Sequence, residues 1–410
     1  MKNVVIIGAS HAASEAVASL RRLKWQDKIT LIGEEEVLPY QRPPLSKGYL
    51  KGDIGIAELA LRKDDFYQKF NVDLLLGQRA TLINREEKSL QLEGGQTVAY
   101  DHLILATGTR ARQLPIAGAD LPQVHYLRTL ADVDSIKNTL KPNARLLIVG
   151  AGYIGLEVAA SAVVQGVQVT VVEAMDRVLA RVTGPEISAF YESVHREKGV
   201  DIRLNASLVK FEKQSSHAVA ELANGEKLPF DCAIVGIGVI PNIELAEQAE
   251  LACDNGILVD HYTQTEDKAI FAVGDCSNHP NLLYDRRVRL ESVPNAVAQA
   301  KTAASVICGC PEAYNQLPWF WSDQYDIKLQ TAGLLQGYDK TVLDGDISAQ
   351  TFTVSYFKAG RKIALDAINS PAAFMQARKS LAQKVMQWIF GKCSILAAFR
   401  GIPRAYVLLI

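Results

Sequence analysis

The beginning of the chain shows a strand, a turn and a helix in its pattern of apolar and polar residues. An apolar run over residues 4–7 reaches the small-residue turn Gly8-Ala9-Ser10. Apolar residues then recur at helical spacing as far as Leu20, and a second apolar run follows at 29–32. Strand, helix and strand in this order are typical of a βαβ unit, which is the opening of a nucleotide-binding fold.

The same pattern returns in the middle of the chain. Residues 145–149 form an apolar run that reaches the turn Gly150-Ala151-Gly152. Helical spacing over 154–164 and a further strand at 167–172 complete the unit. Two such openings predict two separate nucleotide-binding folds.

The pattern changes near Leu317. Aromatic residues cluster there, and apolar and polar residues then alternate over 351–357, which is typical of an antiparallel sheet. We therefore predict an α/β protein with two Rossmann-like dinucleotide-binding domains and a small α+β C-terminal domain.

Composition fits this architecture and excludes several functions. The chain has 410 residues, enough for two or three domains, and its net charge of −1 gives no overall attraction to nucleic acid. Its six cysteines show neither a Cys-x-x-Cys pair nor zinc-ligand spacing, so we expect reduced thiols and no metal site. We find no signal peptide and no apolar run of the roughly 20 residues that a membrane span needs. We expect a cytoplasmic protein without a transmembrane segment.

The second turn matches the dinucleotide fingerprint in full. Its glycines permit a tight turn and close approach of the backbone to a pyrophosphate at a helix N-terminus. Glu173 ends the following strand, where an acid accepts hydrogen bonds from the adenosine ribose. A carboxylate there would repel a 2′-phosphate, so we expect NAD rather than NADP. The predicted site residues are Gly150, Gly152, Tyr153, Ile154, Gly155 and Glu173.

The first turn departs from the fingerprint. It keeps Gly8, but Ser10 replaces the second glycine and Ala13 the third. Alanine is accepted in the third place. Ser10 adds a Cβ where the backbone approaches the phosphate, although its hydroxyl could itself contact the phosphate. We expect Glu34 to be the ribose acid; a purely structural βαβ unit is the alternative.

Two further segments point to FAD at this first site. The apolar strand 103–106 ends in Thr107-Gly108, and the strand 270–273 ends in Gly274-Asp275. These segments resemble the additional FAD motifs of the two-dinucleotide flavoprotein reductases. In that family the aspartate contacts the ribityl chain of the flavin.

Five more motifs narrow the resemblance. The chain is similar to the FAD-dependent ferredoxin reductases of bacterial oxygenase systems, a putidaredoxin reductase-like group, over roughly residues 3–380. The motifs lie at 39–47, 127–129, 153–157, 291–296 and 319–325. The resemblance implies a glutathione reductase-like architecture. The FAD-binding domain would comprise 1–112 and 244–316, the NAD-binding domain 113–243, and the C-terminal interface domain 317–410.

The resemblance also implies roles for single residues. Lys47 would lie near the N5 edge of the flavin, and Glu157 and Glu291 near the nicotinamide carboxamide. Trp321 would lie over the exposed flavin edge, where an electron acceptor docks; a place in the core is the alternative. Further residues assigned to cofactor binding are Ala12, Arg42, Pro43, Ala80, Arg128, Arg181 and Val293.

These assignments predict NADH oxidation through FAD. No cysteine follows the proline turn at 43–44, so we expect no disulfide chemistry at the flavin. The predicted acceptor is a small 2Fe-2S ferredoxin serving a cytochrome monooxygenase or a ring dioxygenase. Rubredoxin, quinone or oxygen are alternative acceptors. A non-enzymatic, NADH-sensing flavoprotein resembling apoptosis-inducing factor is the other alternative.

Two surface features stay open. Basic residues should steer an acidic ferredoxin, and the candidates are Arg62 and Lys301, or the run of Arg286, Arg287 and Arg289.

Near the C-terminus, the spacing of one helical face is shown by Leu381, Val385, Trp388 and Ile389, and an apolar tail follows over 394–410. Core packing or a partner surface is the leading interpretation of this tail, and weak membrane contact is the alternative. The oligomeric state is open.

Overall fold

The computed structural model describes residues 1–215 and 217–383. The predictions for Val385, Trp388, Ile389 and the tail at 394–410 fall outside these residues. No helix in the described ranges is long and apolar enough to cross a membrane.

Residues 1–112 contain a βαβ unit followed by a small meander. The strands are β1 (Asn3–Ile7), β2 (Lys28–Gly33), β3 (Val72–Leu76), β4 (Ala80–Asn84), β5 (Ser89–Leu92), β6 (Thr97–Ala99), β7 (His102–Leu105) and β8 (Thr109–Ala111). The helices are α1 (His11–Arg22), α2 (Gly48–Lys51), α3 (Ile56–Leu59), α4 (Asp64–Lys69) and the 3-10 helix Pro43–Ser46.

Residues 113–243 repeat this plan. The strands are β9 (Val124–Tyr126), β10 (Arg145–Val149), β11 (Gln168–Val172), β12 (Asp201–Arg203), β13 (Leu208–Lys213), β14 (Ala218–Leu222), β15 (Lys227–Phe230), β16 (Cys232–Val235) and β17 (Val239–Pro241). The helices are α5 (Leu130–Lys137), α6 (Tyr153–Val163) and α7 (Pro185–Glu197). The five strands β12-β11-β10-β16-β9 form a parallel sheet.

Residues 244–316 return the chain to the first sheet. The elements are α8 (Glu244–Gln248), β18 (Ile257–Leu258), β19 (Ile270–Ala272), the 3-10 helix Gly274–Cys276, β20 (Ser277–Asn281), β21 (Arg286–Val288) and α9 (Val293–Ile307). β19 pairs with β7, which completes the parallel sheet β19-β7-β1-β2-β3. α1 and α9 pack side by side through buried alanines on one face of this sheet.

The rest of the described chain forms an antiparallel sheet in the order β22-β23-β26-β25-β24. Its strands are β22 (Trp319–Gln324), β23 (Ile327–Gly333), β24 (Lys340–Asp346), β25 (Thr351–Lys358) and β26 (Arg361–Ile368). Residues 371–383 are helical and bury Phe374 and Leu381 against the sheet. The alternation at 351–357 therefore predicted β25, and the predicted fold class is confirmed.

The C-terminal sheet packs on the second nucleotide-binding fold. Phe352, Tyr356 and Leu329 of the sheet belong to the same buried cluster as Phe190 and Tyr191 of α7. This continuous core holds β22 against α6. β22, which carries Trp319, Phe320 and Trp321, is thereby held at the edge of the space between the two parallel sheets.

A candidate two-dinucleotide cleft

One cleft lies where the carboxyl ends of the first parallel sheet face α6 and β22. It has about 1090 Å³ of empty space, counting the part open to solvent. The loops after β1, β7 and β19 meet there because the carboxyl ends of adjacent parallel strands share one edge. The sequence-predicted residues that line the cleft are Ser10, Ala12, Arg42, Pro43, Lys47, Gly108, Arg128, Tyr153, Ile154, Glu157, Gly274, Asp275, Glu291, Val293 and Trp321.

Other predicted residues lie outside the lining. Several of them form the backbone of the two turns or the strand beside them. These residues are Gly8, Ala13, Glu34, Ala80, Thr107, Gly150, Gly152, Gly155, Glu173 and Arg181. Ala80 packs in the core beneath the first sheet, and Thr107 bonds to the backbone of Asn242. Their assignments to cofactor binding stay predictions.

The first turn requires its glycine, and its serine does not cap the helix that follows. Gly8 has a φ of +114°, and a Cβ on it would lie 2.2 Å from the carbonyl oxygen of Ala106. Ser10 is the N-cap residue of α1 but makes no capping hydrogen bond with its side chain. Its hydroxyl lies 3.4 Å from Nδ1 of His11 and faces the cleft. A phosphate at this helix N-terminus would find a hydroxyl whose one bond within the protein is long.

His11 is a cleft residue that the sequence analysis missed. Burial, followed by the charges of Arg42 and Arg128, lowers its pKa to about 4. The imidazole is therefore neutral at pH 7 and can donate one N–H to a ligand. The only sign of this role in the sequence was the position of His11 inside the first turn, between Ser10 and Ala12.

The second turn has the shape that a pyrophosphate requires. Gly150 has a φ of +101°, and a Cβ on it would lie 2.5 Å from the carbonyl oxygen of Gly236. A Cβ on Gly155 would lie 2.2 Å from the carbonyl oxygen of Gly150, which is backbone of the same turn. A Cβ on Gly152, in contrast, would meet nothing within 4 Å. Open space at the second glycine fits a cofactor phosphate.

The two predicted ribose acids have different surroundings. Glu173 accepts hydrogen bonds from the backbone N–H of Ala151 at 2.7 Å and of Met175 at 3.0 Å, so it is tied to the second turn. Glu34 is 71% exposed and pairs with Arg79 at 3.5 Å, away from the cleft lining. The acid beside the cleft in this region is Glu35, which pairs with Arg42 at 2.9 Å and accepts from the Tyr40 hydroxyl at 2.7 Å.

A buried ion pair lies in the cleft. Nζ of Lys47 is 2.6 Å from Oε2 of Glu157, whose side chain is only 6% exposed. Ser46 donates to the same oxygen and Ser322 donates to Oε1, each at 2.6 Å. All oxygens of this carboxylate are therefore bonded, as a buried charge requires. Neither serine was predicted, because Glu157 and Ser322 are 165 residues apart in sequence.

Two arginines supply positive charge to the cleft. Arg128 pairs with Asp275 at 3.3 Å, and burial lowers the pKa of its guanidinium. Arg42 donates to the carbonyl oxygen of Arg128 at 2.6 Å, which joins the two segments. Both groups are positioned by partners before any ligand arrives.

An aromatic cluster closes the cleft on the side of the C-terminal sheet. The rings of Tyr153 and Phe320 lie 4.6 Å apart, and those of Trp319 and Trp321 lie 5.7 Å apart. Trp321 is partly exposed and lines the cleft, so it is not a core residue. The guanidinium of Arg378 lies 4.6 Å from the centre of the Trp319 ring.

The basic residues that could steer a ferredoxin differ in whether they already have partners within the protein. Lys301 is exposed and forms no ion pair with any described residue, whereas Arg62 pairs with Glu15. The run at 286–289 is not one solvated basic patch. Arg287 donates to the carbonyl oxygens of Val259 and Asn278. Arg289 pairs with Glu291 at 2.8 Å, so that this carboxylate at the cleft is already partnered.

Comparison with known families assigns most of the chain. Residues 2–300 match the family model described as pyridine nucleotide-disulphide oxidoreductase, and residues 319–387 match the model described as reductase C-terminal. The chain belongs to the pyridine nucleotide-disulphide oxidoreductase family. No cysteine is among the described residues that line the cleft.

Individual relatives refine this assignment. Putidaredoxin reductase of Pseudomonas putida is 43% identical over 389 residues, covering 93% of this chain and 92% of the relative. A rubredoxin-NAD(+) reductase, also of Pseudomonas putida, is 39% identical over 90% of this chain and 96% of its own. The solved structure of a covalent putidaredoxin reductase-putidaredoxin complex matches with a TM-score of 0.90, 43% identity and 93% coverage of both chains. The resemblance inferred from the motifs is confirmed.

Proposed function

We propose that this chain is an NADH-dependent flavoprotein reductase that passes electrons through FAD to a small 2Fe-2S ferredoxin. The ferredoxin in turn serves a cytochrome monooxygenase or a ring dioxygenase. The observation that carries the proposal is one cleft that joins the FAD-type turn, the Lys47–Glu157 pair and the partly exposed Trp321. The similar solved complex of a reductase with putidaredoxin supports the choice of acceptor.

The residues of the first turn fit FAD. The backbone of Ser10 and His11 at the N-terminus of α1 would hold the pyrophosphate, and Asp275 would hold the ribityl chain. Arg42 and Arg128 bring positive charge to an anionic ligand. The second turn and Glu173 would hold NADH.

The chemistry that bound FAD supplies is the uptake of two electrons together from NADH and their delivery one at a time to an iron–sulfur centre. The protein positions the groups around it. Glu157 holds the ammonium of Lys47 in the cleft, where a cation stabilises added negative charge. Phe320 and Tyr153 cover part of the cleft with aromatic surface and limit the entry of water there. Trp321, which is partly exposed at the cleft, would contact an approaching partner.

The domain division stays part of the proposal: 1–112 and 244–316 for FAD, 113–243 for NAD, and 317–410 for the interface. Two observations support it. β19 pairs with β7, and β8 pairs with β17 where the chain leaves and re-enters the first fold.

A cytoplasmic location is also proposed, on the ground that a reducing compartment suits the free thiols at 232, 253, 276, 308 and 310.

The test uses the purified full-length chain. We expect a yellow protein with one FAD per chain that reduces a 2Fe-2S ferredoxin with NADH faster than it reduces rubredoxin, a quinone or oxygen. A chain that cannot be loaded with FAD would contradict the whole proposal. Faster reduction of rubredoxin would make rubredoxin the acceptor. A long-lived NAD complex without turnover would favour a non-enzymatic, NADH-sensing flavoprotein.

A further inference from the structure

A buried chain of hydrogen bonds leads away from the cleft at Glu157. The Ser322 hydroxyl donates to Oε1 of Glu157 at 2.6 Å, and an amide N–H of Gln324 donates to Oγ of Ser322 at 3.3 Å. His195 donates through Nε2 to Oε1 of Gln324 at 2.8 Å. The Tyr325 hydroxyl donates to Nδ1 of His195 at 3.0 Å.

The direction of every bond in this chain follows from the charge state of His195. The residue has no exposed surface, and burial lowers its pKa to about 4. The neutral ring has one N–H and one lone pair. Because the amide oxygen of Gln324 can only accept, the proton lies on Nε2, and Nδ1 accepts from Tyr325. All donors point toward Glu157, and such a chain polarises its members in one direction.

The chain joins two parts of the molecule. Glu157 is on α6 and His195 on α7, whereas Ser322 and Gln324 are on β22. Tyr325 is in the turn after β22 with a φ of +58°, a region that aromatic residues rarely adopt. This unfavourable turn directs the Tyr325 hydroxyl onto His195.

We propose that His195 is a positioning residue for the Lys47–Glu157 ion pair. The inference rests on the proposal that this cleft binds FAD. The His195 N–H fixes the oxygen of the Gln324 amide, so that the amide N–H faces Ser322. The proton of Ser322 is then available to Glu157 alone.

Without the donor at residue 195, the Gln324 amide is free to turn over. Ser322 would still donate to Glu157, because a carboxylate is a stronger acceptor than an amide, but Oγ of Ser322 would lose the N–H that fixes its position. Oε1 would then be held less firmly than Oε2, which carries both Ser46 and Lys47. The carboxylate would rotate about that anchor and displace the ammonium of Lys47 within the cleft. A displaced cation changes the reduction potential of the group that it faces.

The experiment compares two replacements at one position in the FAD-loaded full chain. His195→Phe keeps the ring volume but removes both nitrogens, whereas His195→Gln keeps one donor and one acceptor. We expect His195→Phe to shift the equilibrium of FAD reduction about threefold, which is about 15 mV for a two-electron couple. We expect His195→Gln to stay within half of that shift. A spectroelectrochemical titration of bound FAD measures both.

Tyr284→Phe is the matched control, because it removes a partly buried hydroxyl that bonds to the backbone of Ile363 and Leu334. It should lower the melting temperature and leave the potential unchanged. If bound FAD has the same reduction potential in His195→Phe and in the parent protein, His195 contributes only to packing and the proposal is wrong. If His195→Phe does not fold, Ser322→Ala breaks the last bond of the chain, and an unchanged potential in that variant overturns the proposal. Failure of the parent protein to bind FAD would instead contradict the proposed function.

Discussion

The carboxylate of Glu173 is held at the end of β11 by two backbone N–H groups, so its negative charge is fixed beside the second turn. A 2′-phosphate placed about 4 Å from it would be repelled by roughly 4 kcal/mol at an effective dielectric near 20, before screening by salt. Arg177 cannot offset this charge, because its guanidinium already bonds to Thr183, Ala180 and Ser188. Of the two arginines near Glu173 in sequence, only Arg181, which is exposed, can therefore offset its charge.

We therefore expect kcat/KM to favour NADH over NADPH by at least tenfold. Glu173→Gln should narrow this ratio, because it removes the charge and keeps an acceptor for the backbone. Asp176→Asn, which neutralises an exposed acid three residues further on, is the control and should leave the ratio unchanged. Similar values of kcat/KM for both cofactors in the parent protein would show that Glu173 does not face the ribose.

Trp321 is partly exposed at the cleft, and this position predicts a role in docking rather than in folding. Trp321→Ala should lower the rate of ferredoxin reduction at least tenfold, because losing a central interface tryptophan often costs at least about 2 kcal/mol. The rate with ferricyanide, which needs no docking surface, should change less than about threefold. Steady-state assays with NADH and each acceptor measure the two rates.

The control for this variant is Trp25→Ala, a truncation of a tryptophan that packs on the first sheet. It should lower the melting temperature and affect both acceptors equally. Equal losses with both acceptors in Trp321→Ala, together with a lowered melting temperature, would mean that Trp321 acts through packing and not through docking.

Single residues could be predicted from the sequence where their function depends on near neighbours. The close approach of Gly155 to the carbonyl oxygen of Gly150 lies within the motif itself, so the spacing of the motif sufficed to predict it. The two serine partners of Glu157 could not be predicted in this way, since Ser46 and Ser322 approach it only through tertiary packing. At the first turn the position of Glu34 directly after β2, like that of Glu173 after β11, suggested the ribose acid; the structure ties Glu35 rather than Glu34 to Arg42 of the cleft, and the assignment stays a prediction.

At the scale of secondary structure elements, the turn between β1 and α1 allows a paired test. Ser10 has an ordinary extended backbone and its hydroxyl does not cap α1, so within the protein Ser10→Gly removes only the long 3.4 Å bond to Nδ1 of His11. We expect its dissociation constant for FAD to stay within about threefold of the parent value. Gly8→Ala should prevent FAD binding, because its Cβ would collide with the backbone of Ala106. Fluorescence titration of the apoprotein with FAD measures both; a large loss in Ser10→Gly would show that the hydroxyl binds the cofactor.

The contact between α7 and the C-terminal sheet should depend on pH. Burial raises the pKa of Asp366 to about 6, although Thr331 and Tyr356 both donate to its carboxylate. The Tyr356 hydroxyl in turn accepts from the N–H of Gly184, at the N-terminus of α7. Because the folded pKa lies above the ordinary value of 3.8, the folded state holds the proton more tightly than the unfolded state does. The stabilisation is complete below that ordinary value and is lost as the pH rises through 6.

Asp366→Asn should therefore gain stability relative to the parent protein as the pH rises from 4 to 7.5. About 2 pKa units correspond to roughly 3 kcal/mol, or a few degrees in Tm. Thermal unfolding across this pH range measures the difference. Asp344→Asn, at an exposed position on β24, should show no such trend. A difference that is constant with pH would mean that Asp366 does not titrate in the folded state.

Elements with a clear hydrophobic period were predictable to within a residue or two. The predicted helix at 154–164 is α6, and the predicted strand at 145–149 is β10. β8 and β17 were not predicted, because strands of three residues have no period to detect. Their pairing joins residues 109–111 to 239–241, and only the complete fold brings these segments together.

At the scale of the whole molecule, a net charge of −1 gives little long-range attraction to an acidic ferredoxin, so steering has to come from local charge. Lys301 is an exposed, unpaired cation within the described residues, about two turns along α9 from Val293 at the cleft. Lys2, which is also exposed and unpaired in this part of the chain, lies at the amino end of the first sheet, opposite the cleft.

Raising the salt from about 50 to 500 mM should therefore slow ferredoxin reduction several-fold, because exposed charges are screened beyond a Debye length of about 10 Å at 0.1 M. The rate with a neutral quinone should stay nearly constant. Lys301→Ala should lower the ferredoxin rate at low salt and flatten its salt dependence, whereas Lys2→Ala should match the parent protein. Stopped-flow measurements of ferredoxin reduction at several salt concentrations separate these cases. A parent rate that does not depend on salt would mean that docking relies on the aromatic surface around Trp321, without electrostatic steering.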